Sequence, residues 1–387
     1  MDKNEKAYKN LQRHLNRQAV GFPATRSGVE IRLLKHIFSP KDAEIATCLS
    51  YRPEPLVTVF ERARHMFRTS GELAAALDRI HRKGGIHSHV LDGQKVYSNV
   101  PLVIGMYESQ INKMTAEFVE DFNRYTGDKK FAVEFLATDL PQMRTIPVTQ
   151  SIEPGHRTRT FDEVMALLEV ADSPIAVLEC ICRKKKAIEG NPCQVSDQKE
   201  NCLALGEMGQ SFLMSGRGRE ITRPEAKSII EQNQKDGLVL QVSNTKNAFH
   251  ICACCGCCCG FLNVLKNLPE PLEFWSSNFH AAVDEDACEG CGVCEKRCQM
   301  GAVAVAAKNR PAAVNRNICI GCGLCVPTCP TGAIHLEENE PQVSPPDTRK
   351  DLYDVIMARK KGRLGKLKVT GKILAGAVRT GRMDLLK

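Results

Sequence analysis

Two stretches of this chain, DACEGCGVCEKRCQMGAV and NICIGCGLCVPTCPTGAI, superimpose at an offset of 31 residues. The repeat aligns Cys288 with Cys319, Cys291 with Cys322, Cys294 with Cys325 and Cys298 with Cys329. Each copy is a C-x2-C-x2-C-x3-C run, the spacing by which three thiolates of one loop and a fourth from the other copy hold an iron–sulfur cube. Gly290, Gly292, Gly321 and Gly323 let so short a loop wrap an inorganic core, accept positive φ and aim amide N–H groups at sulfide. Structural zinc would not require the third cysteine of each run.

The region from about 283 to 337 resembles the bacterial ferredoxins that carry two [4Fe-4S] clusters. Carried over residue by residue, the resemblance implies that Cys288, Cys291, Cys294 and Cys329 bind one cluster, and Cys319, Cys322, Cys325 and Cys298 the other. One departure stands out: Cys329 is followed by Pro330 as in that family, whereas Cys298 is followed by Gln299. The change removes no ligand but loosens the backbone beside one cluster.

The chain has 19 cysteines, so 11 lie outside the repeat. The opening segment MDKNEKAYKNLQRHLNRQAV is charged throughout and lacks an apolar core, which places the protein in the cytoplasm. Thiols stay reduced there, so most of these cysteines must serve metal or redox chemistry. The segment HICACCGCCCG supplies Cys252, Cys254, Cys255, Cys257, Cys258 and Cys259, and Cys180, Cys182, Cys193 and Cys202 lie upstream. All ten are candidate metal ligands. They could hold one or two further iron–sulfur clusters, or zinc, or act as thiols by themselves, and spacing alone does not partition them. Read as a helix, 252–259 would bring Cys255 near Cys252, Cys258 and Cys259; read as a loop, it could wrap a cluster from several sides. His250 could ligate metal or tune it by a hydrogen bond. Arg183, Lys184, Lys185 and Lys186 form either an exposed charged loop or a set of cations that steady thiolates. Cys48 sits in an apolar helical pattern and reads as a core residue.

With 43% hydrophobic and 25% charged residues over 387 positions, the chain is too large and too apolar for a disulfide scaffold or a disordered segment. No apolar run approaches the ~20 residues of a spanning helix. The expected fold is α+β and multidomain. Residues 1–130 read as a winged-helix-like domain, with helices followed by the strands IHSHVL and KVYSN around Asp92-Gly93, then one long helix carrying Ile104, Tyr107, Ile111, Met114, Phe118 and Phe122. Residues 131–268 read as a cysteine-rich α+β domain, with capping boxes at Thr160/Glu163 and Thr222/Glu225 and strands at PIAVLEC and LVLQV. Residues 269–340 are the two-cluster ferredoxin-like domain, and 341–387 a linker and basic amphipathic tail. From 347 onward there are twelve Lys or Arg against four Asp, the whole of the net charge of +8. In that tail Leu352, Val355, Ile356, Leu364, Leu367, Ile373, Leu374 and Val378 fall at helical spacing, with the cations opposite. The tail could dock on its own protein, an acidic partner or a membrane surface.

Residues 20–340 as a whole are similar to a group of iron–sulfur proteins of anaerobes in which a winged-helix-like N-terminus precedes C-x-C, CCGCCC and twin ferredoxin runs. That resemblance implies electron transfer through the clusters to a redox partner protein, with homo-oligomerisation open. Two other classes stand beside it. One is a redox-sensing winged-helix transcription regulator; against it, ELAAALDRIHRK offers only Arg79, Arg82 and Lys83 to phosphate, which disfavours DNA as a partner. The other is an iron–sulfur reductase with its site at CCGCCC. No Walker A run and no complete G-x-G-x-x-G supports a nucleotide or nicotinamide enzyme.

Overall fold

The structure is a computed structural model that describes residues 2–152, 160–307 and 309–382. Its N-terminal region opens with α1 (Lys3–Asn16), α2 (Val29–Ile37) and α3 (Pro40–Ala46). Pro40 starts α3 because Ser39 completes a capping box: its hydroxyl accepts from the Asp42 N–H, and the Asp42 carboxylate accepts from the Ser39 N–H. After β1 (Glu54–Pro55) and α4 (Leu56–Ala63), α5 (Ser70–Lys83) begins under the Thr69 hydroxyl and stops at Gly84 in the left-handed region. The hairpin β2 (Ile86–Leu91) and β3 (Gln94–Asn99) turns at Asp92-Gly93, both at positive φ, and β1 adds to β3. Fully buried Asp42 binds Arg79 Nη2 at 2.8 Å and Lys83 Nζ at 2.7 Å, fastening α3 to α5.

The long helix expected through Ile104 and Phe122 does not form. Val103 is extended, Ile104 sits at φ +63, and only short turns span Leu102–Met106 and Glu108–Gln110. The Glu108 carboxylate accepts from the Gly105 N–H at 2.7 Å, taking a donor that a continuous helix would use itself. A new helix, α6 (Ala116–Thr126), then starts where the Thr115 hydroxyl accepts from the Phe118 N–H. Tyr107 and Phe122 still stack at 3.9 Å, because the turn keeps both on the core side. The break leaves Glu108 half-buried.

α7 (Lys129–Leu136) leads to a six-stranded antiparallel sheet. Along the chain come β4 (Met143–Thr145), α8 (Val164–Val170), β5 (Ile175–Glu179), α9 (Ile181–Ile188), β6 (Glu200–Leu205), α10 (Gly206–Met214), β7 (Arg219–Ile221), α11 (Arg223–Lys235), β8 (Val239–Ser243) and β9 (His250–Cys254). The order across the sheet is β4-β8-β9-β6-β5-β7. The Thr222 hydroxyl caps α11 as expected, and Gly237 at φ +85 follows its end. At the other expected box, α8 starts three residues late: Thr160–Asp162 is a single 3-10 turn and Glu163 is the N-cap, with no side-chain cap bond. The cysteine-rich segment is neither the helix nor the continuous loop that its spacing allows. Cys252 and Cys254 lie within β9, Cys255–Cys258 form a turn, and α12 (Gly260–Lys266) follows.

In the repeat region, β10 (Phe279–Val283) pairs antiparallel with β13 (Ile334–Glu338). These strands precede the first cysteine run and follow the second, so their ladder closes the two copies on each other. Between them lie α13 (Val293–Arg297) and the short pair β11 (Val303–Ala304) and β12 (Ala313–Val314). The unit docks on the sheet through Trp275 Nε1 donating to Thr145 Oγ1 at 2.9 Å, Asn278 Nδ2 donating to Asp162 at 2.8 Å, and the Val148 N–H donating to the Cys322 carbonyl at 3.0 Å. One apolar core accordingly runs from Leu203, Val242 and Ile251 of the sheet to Ile320 and Leu324 of the repeat. A second core, with Leu33, Leu77 and Tyr125, belongs to the N-terminal helices.

The tail forms α14 (Arg349–Ala358), which buries Leu352, Tyr353 and Ile356, and α15 (Arg363–Arg379). In α15 the leucine stripe is not the side that packs on the protein. Leu364, Leu367, Leu374 and Val378 face outward, Leu364 at 78% exposure, while Val369, Gly376 and Ala377 are buried. Ion pairs set this orientation: Lys366 reaches Glu134, Lys372 reaches Glu273 at 2.7 Å and Arg379 reaches Glu270 at 3.3 Å. Among the described residues no helix is long and apolar enough to cross a membrane.

Candidate metal centres

Cys288, Cys291 and Cys294 of the first run and Cys329 of the second line one cavity, together with Gly290, Val293, Ala312 and Ile334. Backbone donors point at the sulfurs: Ala312 N–H to Cys288 Sγ at 3.4 Å, Ala302 N–H to Cys298 Sγ at 3.2 Å and Ala281 N–H to Cys319 Sγ at 3.4 Å. Gly290, Gly292, Gly321 and Gly323 all take positive φ. At Gly321 no other residue fits, since a Cβ would fall 2.1 Å from the Phe279 carbonyl oxygen. Burial, with the thiols of Cys298, Cys325 and Cys319 close by, pushes the Cys322 thiol well up. Burial opposes ionisation of Cys329, but the Thr331 hydroxyl and the Ile334, Thr331 and Ala333 amides outweigh it and hold that thiol below its usual range. The two groups differ at the surface: Cys291 is exposed within a stretch that also exposes Asp284, Glu285, Asp286, Glu289, Glu295 and Lys296, whereas every thiol of the other group is buried or half-buried.

The ten other candidate ligands fall into two groups. The first is Cys193, Cys255, Cys257 and Cys258, with all four Sγ atoms within 4.8 Å of one another. Among the described residues no other group of three or more His, Cys, Asp or Glu brings ligand atoms so close. The second group is a chain of thiol contacts running Cys180, Cys182, Cys259, Cys254, Cys252, Cys202. Local structure explains it. Cys202 and Cys252 are register partners on β6 and β9, Cys252 and Cys254 share a face of β9, Cys180 caps α9 with Cys182 in its first turn, and Cys259 caps α12. Along this chain, hydrogen bonds from Cys182 and Cys254 bring Cys259 down to about 5, and those from Cys202 and Cys254 bring Cys252 well down. The same bonds, with burial, push Cys202 and Cys254 well up, and a bond to Cys182 with burial does so for Cys180.

Two cavities flank the six thiols. One is lined by Glu108, Cys202, Cys252 and His250; the other by Tyr107, Glu108, Phe135, Cys182 and Phe261. Burial raises the Glu108 carboxyl to about 7 against the pull of the Gly105 N–H. Both ring nitrogens of buried His250 lack a hydrogen-bond partner. Glu108 escapes the sequence reading because it sits inside an apparent helical stripe, and only Pro101 and Gly105 hint at the break.

Of the four cations after Cys182, Arg183 alone turns to the thiols. Burial would lower it, but Cys180, Cys193 and Cys255 hold its guanidinium above the usual value, and it donates to the Gln198 carbonyl. Lys184 pairs with Glu179, and Lys185 and Lys186 pair with Glu189. Cys48 is a buried core residue. Gln299, the departure in the first run, accepts from the Gly256 N–H at 2.7 Å, and Lys266 Nζ donates to the Gly256 carbonyl at 3.1 Å. That side chain therefore ties the repeat unit to the 255–258 turn.

Against known proteins, residues 281–336 match the 4Fe-4S dicluster domain family. No curated protein and no solved structure matches the chain. The matched segment holds all eight repeat cysteines and stops short of the six-stranded sheet and the N-terminal helices. The chain thus carries a ferredoxin-like iron–sulfur region within a mixed α+β protein.

Proposed function

We propose that this protein moves single electrons between a partner protein and the thiol-lined centre of its middle region. Cys288, Cys291, Cys294 and Cys329 hold one [4Fe-4S] cluster and Cys319, Cys322, Cys325 and Cys298 the other, and such clusters supply one-electron transfer when bound. The observation that carries this reading is the cavity walled by three thiols of one run and Cys329 of the other, inside the matched segment. The partner docks where Cys291 is exposed, and its contact surface is basic, because that rim carries five exposed carboxylates. The deeper quartet adjoins the middle region through Gln299. At the far end, Cys180, Cys182, Cys202, Cys252, Cys254 and Cys259 hold a further iron–sulfur centre.

The test is iron and acid-labile sulfide per chain on anaerobically purified protein. More than eight of each are expected, eight from the repeats and the rest from the six-thiol centre. Fewer than about eight irons, or iron without sulfide, would refute the reading. A second reading, a reductase whose substrate enters beside the six thiols, is favoured by the flanking cavities and by Glu108, which keeps its proton up to about pH 7 and could give it to a substrate. The regulator reading meets two obstacles. β2, the first strand of the hairpin, packs on α10, and Arg79 and Lys83 of α5 are engaged by Asp42.

A further inference from the structure

We infer that Cys193, Cys255, Cys257 and Cys258 form a closed, mononuclear Zn²⁺ site, separate from every iron–sulfur centre of the protein. The argument is one of size. A tetrahedral ion with Zn–S bonds of about 2.3 Å sets its four sulfurs about 3.8 Å apart. A [4Fe-4S] cube, which carries one thiolate on each corner iron, spreads its sulfurs to about 6 Å. Here Cys193 Sγ lies 3.6 Å from Cys255 Sγ and 3.8 Å from Cys257 Sγ, while Cys257 Sγ lies 3.5 Å from Cys255 Sγ and 3.6 Å from Cys258 Sγ. These edges are those of a single tetrahedral ion, too short for a cube and too long for disulfides. The chain supplies its own control, because neither repeat quartet packs its sulfurs within 4.8 Å.

The surroundings fit a structural ion. Four thiolates leave no position open, which is the mark of a structural rather than a catalytic zinc. Four thiolates around a divalent cation leave two negative charges, and two cations answer them. Arg183 bonds to Cys255 and faces Cys193, and Lys266 holds the Gly256 carbonyl inside the turn. Three ligands come from the turn between β9 and α12, and the fourth from the loop between α9 and β6. The ion therefore staples together the two segments that also deliver Cys180, Cys182, Cys254 and Cys259 to the six-thiol centre. Gln299 joins the same turn to the repeat unit, so the staple fixes where the two iron–sulfur regions meet.

The experiment uses the full chain, purified anaerobically. Zinc per chain is measured beside iron and sulfide, and the zinc X-ray absorption edge gives the coordination shell. The expected result is about one zinc with four sulfurs at about 2.3 Å. A Cys257→Ser variant should lose at least nine-tenths of the zinc and keep its iron and sulfide. Native protein without zinc, a zinc shell containing nitrogen or oxygen, or a loss of about four irons in Cys257→Ser would each overturn the inference. The native measurement needs no variant to fold, and neither zinc result alters the iron expected in the repeats.

Discussion

The repeat region and the 250–260 segment are equally recognisable by their cysteines, yet they present sulfur in opposite ways. In the repeats, two or three residues separate successive cysteines and left-handed glycines bend the chain outward, so the thiols stand around a hollow. In CCGCCC the cysteines are adjacent or one apart, and three of them converge with Cys193 until their sulfurs nearly touch. The remaining thiols of the segment, on β9 and at the cap of α12, point instead to Cys180, Cys182 and Cys202. Cysteine density therefore says little about cluster number. What matters is how far apart the backbone holds the sulfurs.

The largest effect that separates the two regions is expected at Cys291. A Cys291→Ala variant should lose about four irons with their sulfide while zinc stays bound, because the two centres share no ligand. Loss of zinc together with iron would mean that the regions fold as one metal-dependent unit.

A second test leaves both regions alone. Burial opposes the Asp42 charge, but Lys83, Arg79 and Ser39 outweigh it and hold the carboxyl at about 2. A depressed carboxylate contributes stability that is present above its unfolded value near 3.8 and is lost as pH falls through the folded one. Asp42→Asn should thus cost about 2 kcal/mol at pH 7 by denaturant titration, with cluster absorbance unchanged, and the difference should shrink as pH approaches 2. A loss of iron in this variant would show that the N-terminal core supports the metal centres directly.

A smaller effect belongs to the contact between the regions. Gln299→Ala removes one hydrogen bond to Gly256 and should lower stability by about 1 kcal/mol at unchanged iron and zinc. Electron flow from the repeats to the six-thiol centre should slow as well, read as a lag between bleaching of the two sets of bands after rapid mixing with reductant. The smallest effect is expected on α15, where Leu367→Ser replaces an outward-facing side chain and should change stability by less than about 0.5 kcal/mol.

The sequence displays the repeat, its eight cysteines and its glycines because each run is local: its four cysteines and their glycines lie within eleven residues. Caps at Ser39 and Thr222 and the Asp92-Gly93 hairpin are local too, and they appear where their residue types place them. The division of the ten other cysteines is not local. It depends on the register that sets Cys202 opposite Cys252 and on the loop that carries Cys193 to a turn 62 residues away. Glu108 was hidden for a related reason: a helical stripe continues through the bend at Ile104 and Gly105, and nothing in the periodicity marks the break. On α15 the apolar spacing left open what the stripe would face, and ion pairs with Glu134, Glu270 and Glu273 accompany the opposite side turning inward.

The most direct measurement is iron, acid-labile sulfide and zinc per chain on a single anaerobic sample. The expected result is more than eight irons, sulfide in equal number and one zinc. Fewer than about eight irons, or iron without matching sulfide, would contradict the two-cluster repeat on which the electron-transfer reading stands.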